Sequence, residues 1–167
     1  MDIPIYRFYG PITEYRYEFM STSTDKKIIK IVRFSETIVD DTFNLVLLDM
    51  MPDGSESNDK IETKNRDMNT VLATVMQIIT NFLDKNPTWF VHIEGSDPKR
   101  KRLYQILLNR EYDHLTDYVI FGGNDDQKTI FEKGKTYNYF RFFDNFCGRK
   151  GSQSFVKRAV CRSGFTK

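Results

Sequence analysis

Side chains able to do chemistry are densest in the run Gly95-Ser96-Asp97-Pro98-Lys99-Arg100-Lys101-Arg102-Leu103-Tyr104. A β-branched and aromatic segment, Thr88-Trp89-Phe90-Val91-His92-Ile93, leads into Gly-Ser, and Asp-Pro follows. That order marks a helix start. Asp97 accepts a first-turn amide as N-cap, and Pro98 takes the first helical position, where its missing donor is no loss. Ser96 is the alternative cap. With about 100° per residue, Arg100, Leu103, Tyr104 and Leu107 share one helical face, whereas Lys99, Lys101, Arg102 and Gln105 lie around the rest.

Arg100 therefore points where apolar residues point. A guanidinium there needs a carboxylate, a set of carbonyls or a bound anion, because an unpaired buried charge is very costly. Two readings follow. In one, the Gly95 and Ser96 amides, the helix N-terminus and Arg100 or Arg102 build an oxyanion or phosphate site. In the other, Arg100 pairs with Glu94, Glu111 or another acid and ties helix to sheet, and Asp97 itself repels an anion. The pairing is the favoured reading for Arg100, and it leaves Arg102 and the lysines of the outer face to a partner. The candidate anion- or partner-binding residues are thus Ser96, Lys99, Arg100, Lys101, Arg102 and Tyr104.

No other constellation points to a reaction. His92 lies in an apolar strand and His114 in an acidic stretch, neither with a second ligand at a metal-site spacing. Cys147 and Cys161 fall near the C-terminus, and no G-x-S-x-G elbow occurs. Gly122-Gly123 opens no helix, so with Asn124-Asp125 it reads as a β-turn and not a nucleotide loop. The acid pairs Asp40-Asp41 and Asp125-Asp126 read as solvated turns. No catalytic residue, metal or cofactor is assigned. The strand Tyr137-Asn138-Tyr139-Phe140-Arg141-Phe142-Phe143 sets Tyr137, Tyr139 and Arg141 against Phe140 and Phe142, a layout suited to base stacking or, the favoured reading, to packing on both faces.

The elements that position these residues come from periodicity. Strand composition recurs at residues 5–9, 15–19, 28–34 and 43–48, with clean alternation in Tyr15, Tyr17 and Phe19. Residues 52–59 are rich in turn formers and read as an exposed loop. Met68, Val71, Leu72, Val75, Ile78, Ile79 and Phe82 then trace an amphipathic helix, capped by Asn65 or Asp67 and ended by Asn86-Pro87. A second helix over residues 98–110 precedes strands near 118–121 and 137–143. The expected fold is α+β, a single mostly antiparallel sheet carrying two helices in the order β-β-β-β-α-β-α-β-β. Residues 1–147 read as one domain and 148–167 as a basic C-terminal tail, in which Phe155-Val156 and Ala159-Val160 suggest a short amphipathic element.

The 167-residue length suits one core, and 14 Phe with 9 Tyr favour sheets and aromatic-lined surfaces. The net charge of +2 hides an asymmetry: residues 148–167 hold six basic groups and no acid, leaving 19 basic and 23 acidic groups before them, a net of −4. A globally nucleic-acid-like surface is thereby excluded. Two cysteines and no apolar run of 18 residues fit a cytoplasmic protein without a membrane span or disulfide framework.

The stretch from Thr70-Val71-Leu72-Ala73-Thr74-Val75 through Phe90-Val91-His92-Ile93-Glu94-Gly95-Ser96 to Arg100-Lys101-Arg102-Leu103-Tyr104 resembles a family of small uncharacterised bacterial proteins. Their shared segment is a helix, a strand, Gly-Ser and an Arg-x-Arg-Leu-Tyr run, and the resemblance covers roughly residues 27–145. It implies a cytosolic bacterial origin and no activity; Lys99, Lys101 and the basic tail depart from the pattern. The expected function is a non-enzymatic binding or interaction module for nucleic acid or a phosphorylated partner. An enzyme acting on a phosphorylated or nucleotide-like small molecule is one alternative, and a structural or partner-neutralising homodimer the other.

Overall fold

Alternation along each strand decides which side chains face the helices. In β2 (Arg16–Thr22), Tyr17, Phe19 and Ser21 are buried while Arg16, Glu18 and Met20 point away. Val32 and Phe34 of β3 (Lys27–Glu36) and Phe43 and Leu45 of β4 (Thr42–Asp49) continue the same layer. The structure, a computed structural model, describes residues 3–57, 67–125 and 127–144. Within them β1 (Phe8–Tyr9), β5 (Phe90–Glu94), β6 (Tyr118–Asn124), β7 (Gln127–Ile130) and β8 (Tyr139–Asp144) complete an eight-stranded sheet of order β1-β2-β3-β4-β5-β8-β6-β7.

Every pairing is antiparallel except β4 with β5, where Thr42 lies opposite Phe90 and Asn44 opposite His92. A parallel pair needs a crossover, and α1 (Met68–Lys85) supplies it. Its Val71, Leu72, Val75, Ile78, Ile79, Phe82 and Leu83 pack on the sheet; Met68, the first residue of the expected stripe, is exposed. Asp67 holds the N-cap position without capping, because its carboxylate accepts bonds from the Tyr6 hydroxyl at 2.7 Å and the Ser21 hydroxyl at 2.6 Å. Asn86 closes the helix as expected. The second helix, α2 (Pro98–Glu111), buries only Leu107 and Leu108 fully, with Leu103 and Tyr104 packed against the core edge.

The α+β class and the mostly antiparallel sheet agree with the periodicity, and the order gains one strand, β7. Its presence corrects the expected turn: Gly122 and Gly123 are strand residues of β6, and Asp125, at φ 47°, occupies the turn. Both glycines lack a side chain because a Cβ on Gly122 would run into the Tyr137 ring and one on Gly123 into the Tyr139 ring. Tyr137 is also placed differently from expectation. It precedes β8 and is buried in the helix-side core with Phe131 and Phe140, so it does not share a face with Tyr139 and Arg141. Phe140 and Phe142 enter that core while Phe143 packs with Phe121 on the other face, so β8 is packed on both sides.

The loop after β4 is less open than its composition suggests. Glu56 accepts from the Arg16 and Arg33 guanidinium groups at 2.6 Å each, and Ser57 is buried against Asp49. Residues 58–66, with the alternative cap Asn65, lie outside the described residues, as do both cysteines and the basic tail. No described helix is long and apolar enough to cross a membrane.

Candidate functional site

The parallel pairing of β4 and β5 ends at Asn44 and His92, after which β5 turns away at Gly95 into α2. Where the two strands part, a hollow of about 540 Å³ opens. Its walls come from three elements: Asn44 and Val46 of β4, His92 and Glu94 of β5, and Ser96, Arg100, Lys101 and Tyr104 from the start of α2. Gly95 makes the corner. A Cβ there would sit 2.9 Å from the Arg100 carbonyl carbon and inside contact distance of the Lys101 amide, both main-chain atoms that cannot swing aside.

The start of α2 follows the expected pattern. Asp97, in extended conformation, accepts the Arg100 amide at 3.0 Å, and Pro98 is at the first helical position. That bond above all holds the Asp97 carboxyl below its ordinary range. The first turn is therefore capped by the chain's own carboxylate. A ligand in the hollow meets side chains here, not a vacant helix N-terminus.

Arg100 combines both sequence readings. Its Nη1 donates to Ser96 Oγ at 3.3 Å and its Nε lies 3.7 Å from Asp97 Oδ2, so an acid beside it is its own helix cap. Glu111 pairs with Arg110 at 2.8 Å. With 26% of its side chain exposed, Arg100 stands at the rim of the hollow and is not driven into the core. Lys101 and Tyr104 line the same hollow, while Lys99 and Arg102 project from exposed sides of α2 and do not line it.

The residues that sequence reasoning missed lie one step back along β5. His92 Nδ1 accepts from Arg141 Nε at 3.3 Å, and His92 Nε2 lies 3.5 Å from Glu94 Oε2. Burial, and next the adjacent Arg141 charge, hold the imidazole pKa below its usual value, so it is neutral at neutral pH. With Nδ1 accepting, its proton sits on Nε2, toward Glu94. Period-two spacing was the available signal: His92, Glu94 and Ser96 alternate along one line that ends at the Gly-Ser corner.

A family model described as DUF6934, a family of unknown function, matches residues 2–144. The chain belongs to that family. No curated protein and no solved structure shows a significant match. Membership in DUF6934 spans the whole described sheet, both helices and the hollow, and supplies no reaction. A second groove of about 1030 Å³ runs between residues 3–5, α1 and the end of α2. Its ionisable groups are largely engaged with one another, Tyr118 with Asp84 at 2.6 Å and Arg110 with Glu111, although the buried Arg110 Nη2 has no partner among the described residues. Among the described residues no group of His, Cys, Asp and Glu has the arrangement of a metal site.

Proposed function

We propose that this chain is a binding protein that takes the phosphate of a small phosphorylated ligand in the hollow at the carboxyl end of β5. The observation that carries the reading is the convergence of Ser96, Arg100, Lys101 and Tyr104 on one concavity at the point where a parallel strand pair separates. Ligands of open sheets containing parallel strands favour that position, because the loops leaving the strand ends diverge there. Lys101 supplies the charge. It lines the hollow without a carboxylate partner among the described residues, whereas Arg100 is partly neutralised by Asp97.

Binding is favoured over catalysis by the state of His92. Its lone pair accepts from Arg141, so the one imidazole at the hollow is not poised to take a proton from a substrate. The exposed Lys99 and Arg102 would add charge along the approach to the hollow, and a cytoplasmic bacterial setting belongs to the same proposal.

Titration calorimetry with inorganic phosphate and a nucleoside monophosphate at low salt tests the reading. Binding weakens roughly tenfold in Lys101→Ala, the loss of one charge-assisted hydrogen bond. Absence of heat or thermal stabilisation with every phosphorylated compound at low salt would overturn it.

A further inference from the structure

On the face opposite the helices, register sets a row of residues beside the hollow. His92 lies opposite Arg141 across β5 and β8, Glu94 lies opposite Tyr139, and Tyr139 lies opposite Gly123, which in turn faces Lys128 of β7. Side chains at paired positions share a face. No described helix covers this row, and Tyr139 and Arg141 both remain partly exposed.

Arg141 is the anomaly. It is only partly exposed, its Nε is bound to a neutral imidazole, and no carboxylate pairs with it among the described residues. The neighbouring charge is of the same sign: Lys128 has its pKa pushed down to about 8, first by burial and then by the charge of Arg141. An arginine with a second cation near it and no acid paired to it among the described residues is stabilised by an anion arriving from outside. A purely structural arginine would more simply face an acid.

Tyr139 supplies a second kind of contact. Its ring lies across β6 above Gly123, a position open only because that residue has no Cβ, and its centroid is 5.1 Å from that of His92 at an interplanar angle of 37°. An aromatic ring laid on the sheet beside cations is the arrangement on which a base stacks while its phosphates find charge. Glu94, with 55% of its side chain exposed, lies between this ring and the hollow and can accept from a sugar hydroxyl or a base amino group.

We infer that the hollow and this row form one continuous site for a nucleoside bearing a phosphate on each side, the first phosphate at Lys101 and Arg100, the base against Tyr139 and the second phosphate at Arg141. This rests on the phosphate reading of the hollow and names the ligand class. The two halves adjoin at His92 and Glu94, which line the hollow and also lie opposite Arg141 and Tyr139 of the row. The chemistry is that of a free nucleoside 3′,5′-bisphosphate, and it is also the repeating unit of a single-stranded nucleic acid.

The test is titration calorimetry of the full chain with a nucleoside 5′-monophosphate, the corresponding 3′,5′-bisphosphate and a single-stranded octanucleotide, for wild type, Lys101→Ala, Arg141→Gln and Tyr139→Leu. The bisphosphate binds wild type roughly tenfold tighter than the monophosphate, and that advantage disappears in Arg141→Gln. Tyr139→Leu weakens both nucleotides and leaves inorganic phosphate unaffected. Should Arg141→Gln fold poorly by circular dichroism, the salt dependence in wild type gives the same answer, because a second phosphate contact steepens the slope for the bisphosphate. An octanucleotide that binds tighter still, through Arg141, identifies a strand as the ligand; one that fails to bind while the bisphosphate binds identifies the free nucleotide. Equal affinity and equal salt slope for mono- and bisphosphate, with Lys101→Ala still damaging both, would overturn the inference and leave the hollow as a simple phosphate site. No binding of any phosphorylated compound removes the phosphate reading itself.

Discussion

Asp97 holds the Arg100 amide at 3.0 Å and thereby places a negative charge beside Arg100 and Ser96 at the lip of the hollow. Asparagine caps helices about as well as aspartate, so Asp97→Asn separates the two effects. The substitution retains the cap and removes the charge next to Lys99 and Arg100. Phosphate affinity is expected to rise about two- to fivefold, the worth of one charge near a helix N-terminus, with the thermal midpoint little changed. Asp97→Ala instead costs about 1 kcal/mol of stability. Calorimetry and thermal melts of the two variants side by side check this; weaker binding in Asp97→Asn would mean that the carboxylate contacts the ligand. The cap is legible at sequence level because every atom it needs lies within four residues. The Arg141–His92–Glu94 line is not, because it joins β8 to β5 across 49 positions, and nothing local in the sequence records that register.

At the scale of elements, the corner between β5 and α2 determines whether the hollow exists. Gly95 is buried, and its missing Cβ lets the α2 main chain at Arg100 and Lys101 close over the strand end. Gly95→Ala forces backbone atoms apart, and overpacking of this kind typically costs about 1–3 kcal/mol. The expected result is a loss in that range by urea denaturation together with a larger loss of phosphate affinity, since Ser96, Arg100 and Lys101 all move with the corner. Unaltered binding in a destabilised Gly95→Ala protein would show that the hollow's geometry does not depend on this contact. Sequence signals for this corner agree at every level: strand composition, Gly-Ser, cap and proline. The signals at Gly122-Gly123 conflict, because glycine marks both turns and the places where an aromatic ring needs room, and only the positions of Tyr137 and Tyr139 decide between them.

At the scale of the whole molecule, the crossover through α1 fixes how far β4 and β5 run together before they part. The abundance of aromatic residues is explained at the far end of that crossover. Phe82 stacks on Phe34 at 3.9 Å, meets Phe43 and Tyr15 edge-on, and touches Trp89 just before β5 begins. Helix periodicity places Phe82 on the inward face, but its partners come from β3, β4 and the turn before β2, so the cluster is invisible in any single stretch of sequence. Trp89 is the only tryptophan and stacks on Phe43 at 4.4 Å, which makes its emission a reporter of α1 docking. Phe82→Ala is expected to cost about 3–5 kcal/mol, the usual price of removing a buried ring from a core that relaxes only partly. The cluster and the hollow lie at opposite ends of β5, so the lost stability and the ligand affinity should separate. Urea unfolding followed through Trp89 should shift to a markedly lower midpoint. Phosphate titration under conditions where the variant is still folded should return the wild-type affinity. A parallel loss of both would mean that the parting of β4 and β5 responds to how tightly α1 is seated, and that the hollow is set by the core as a whole.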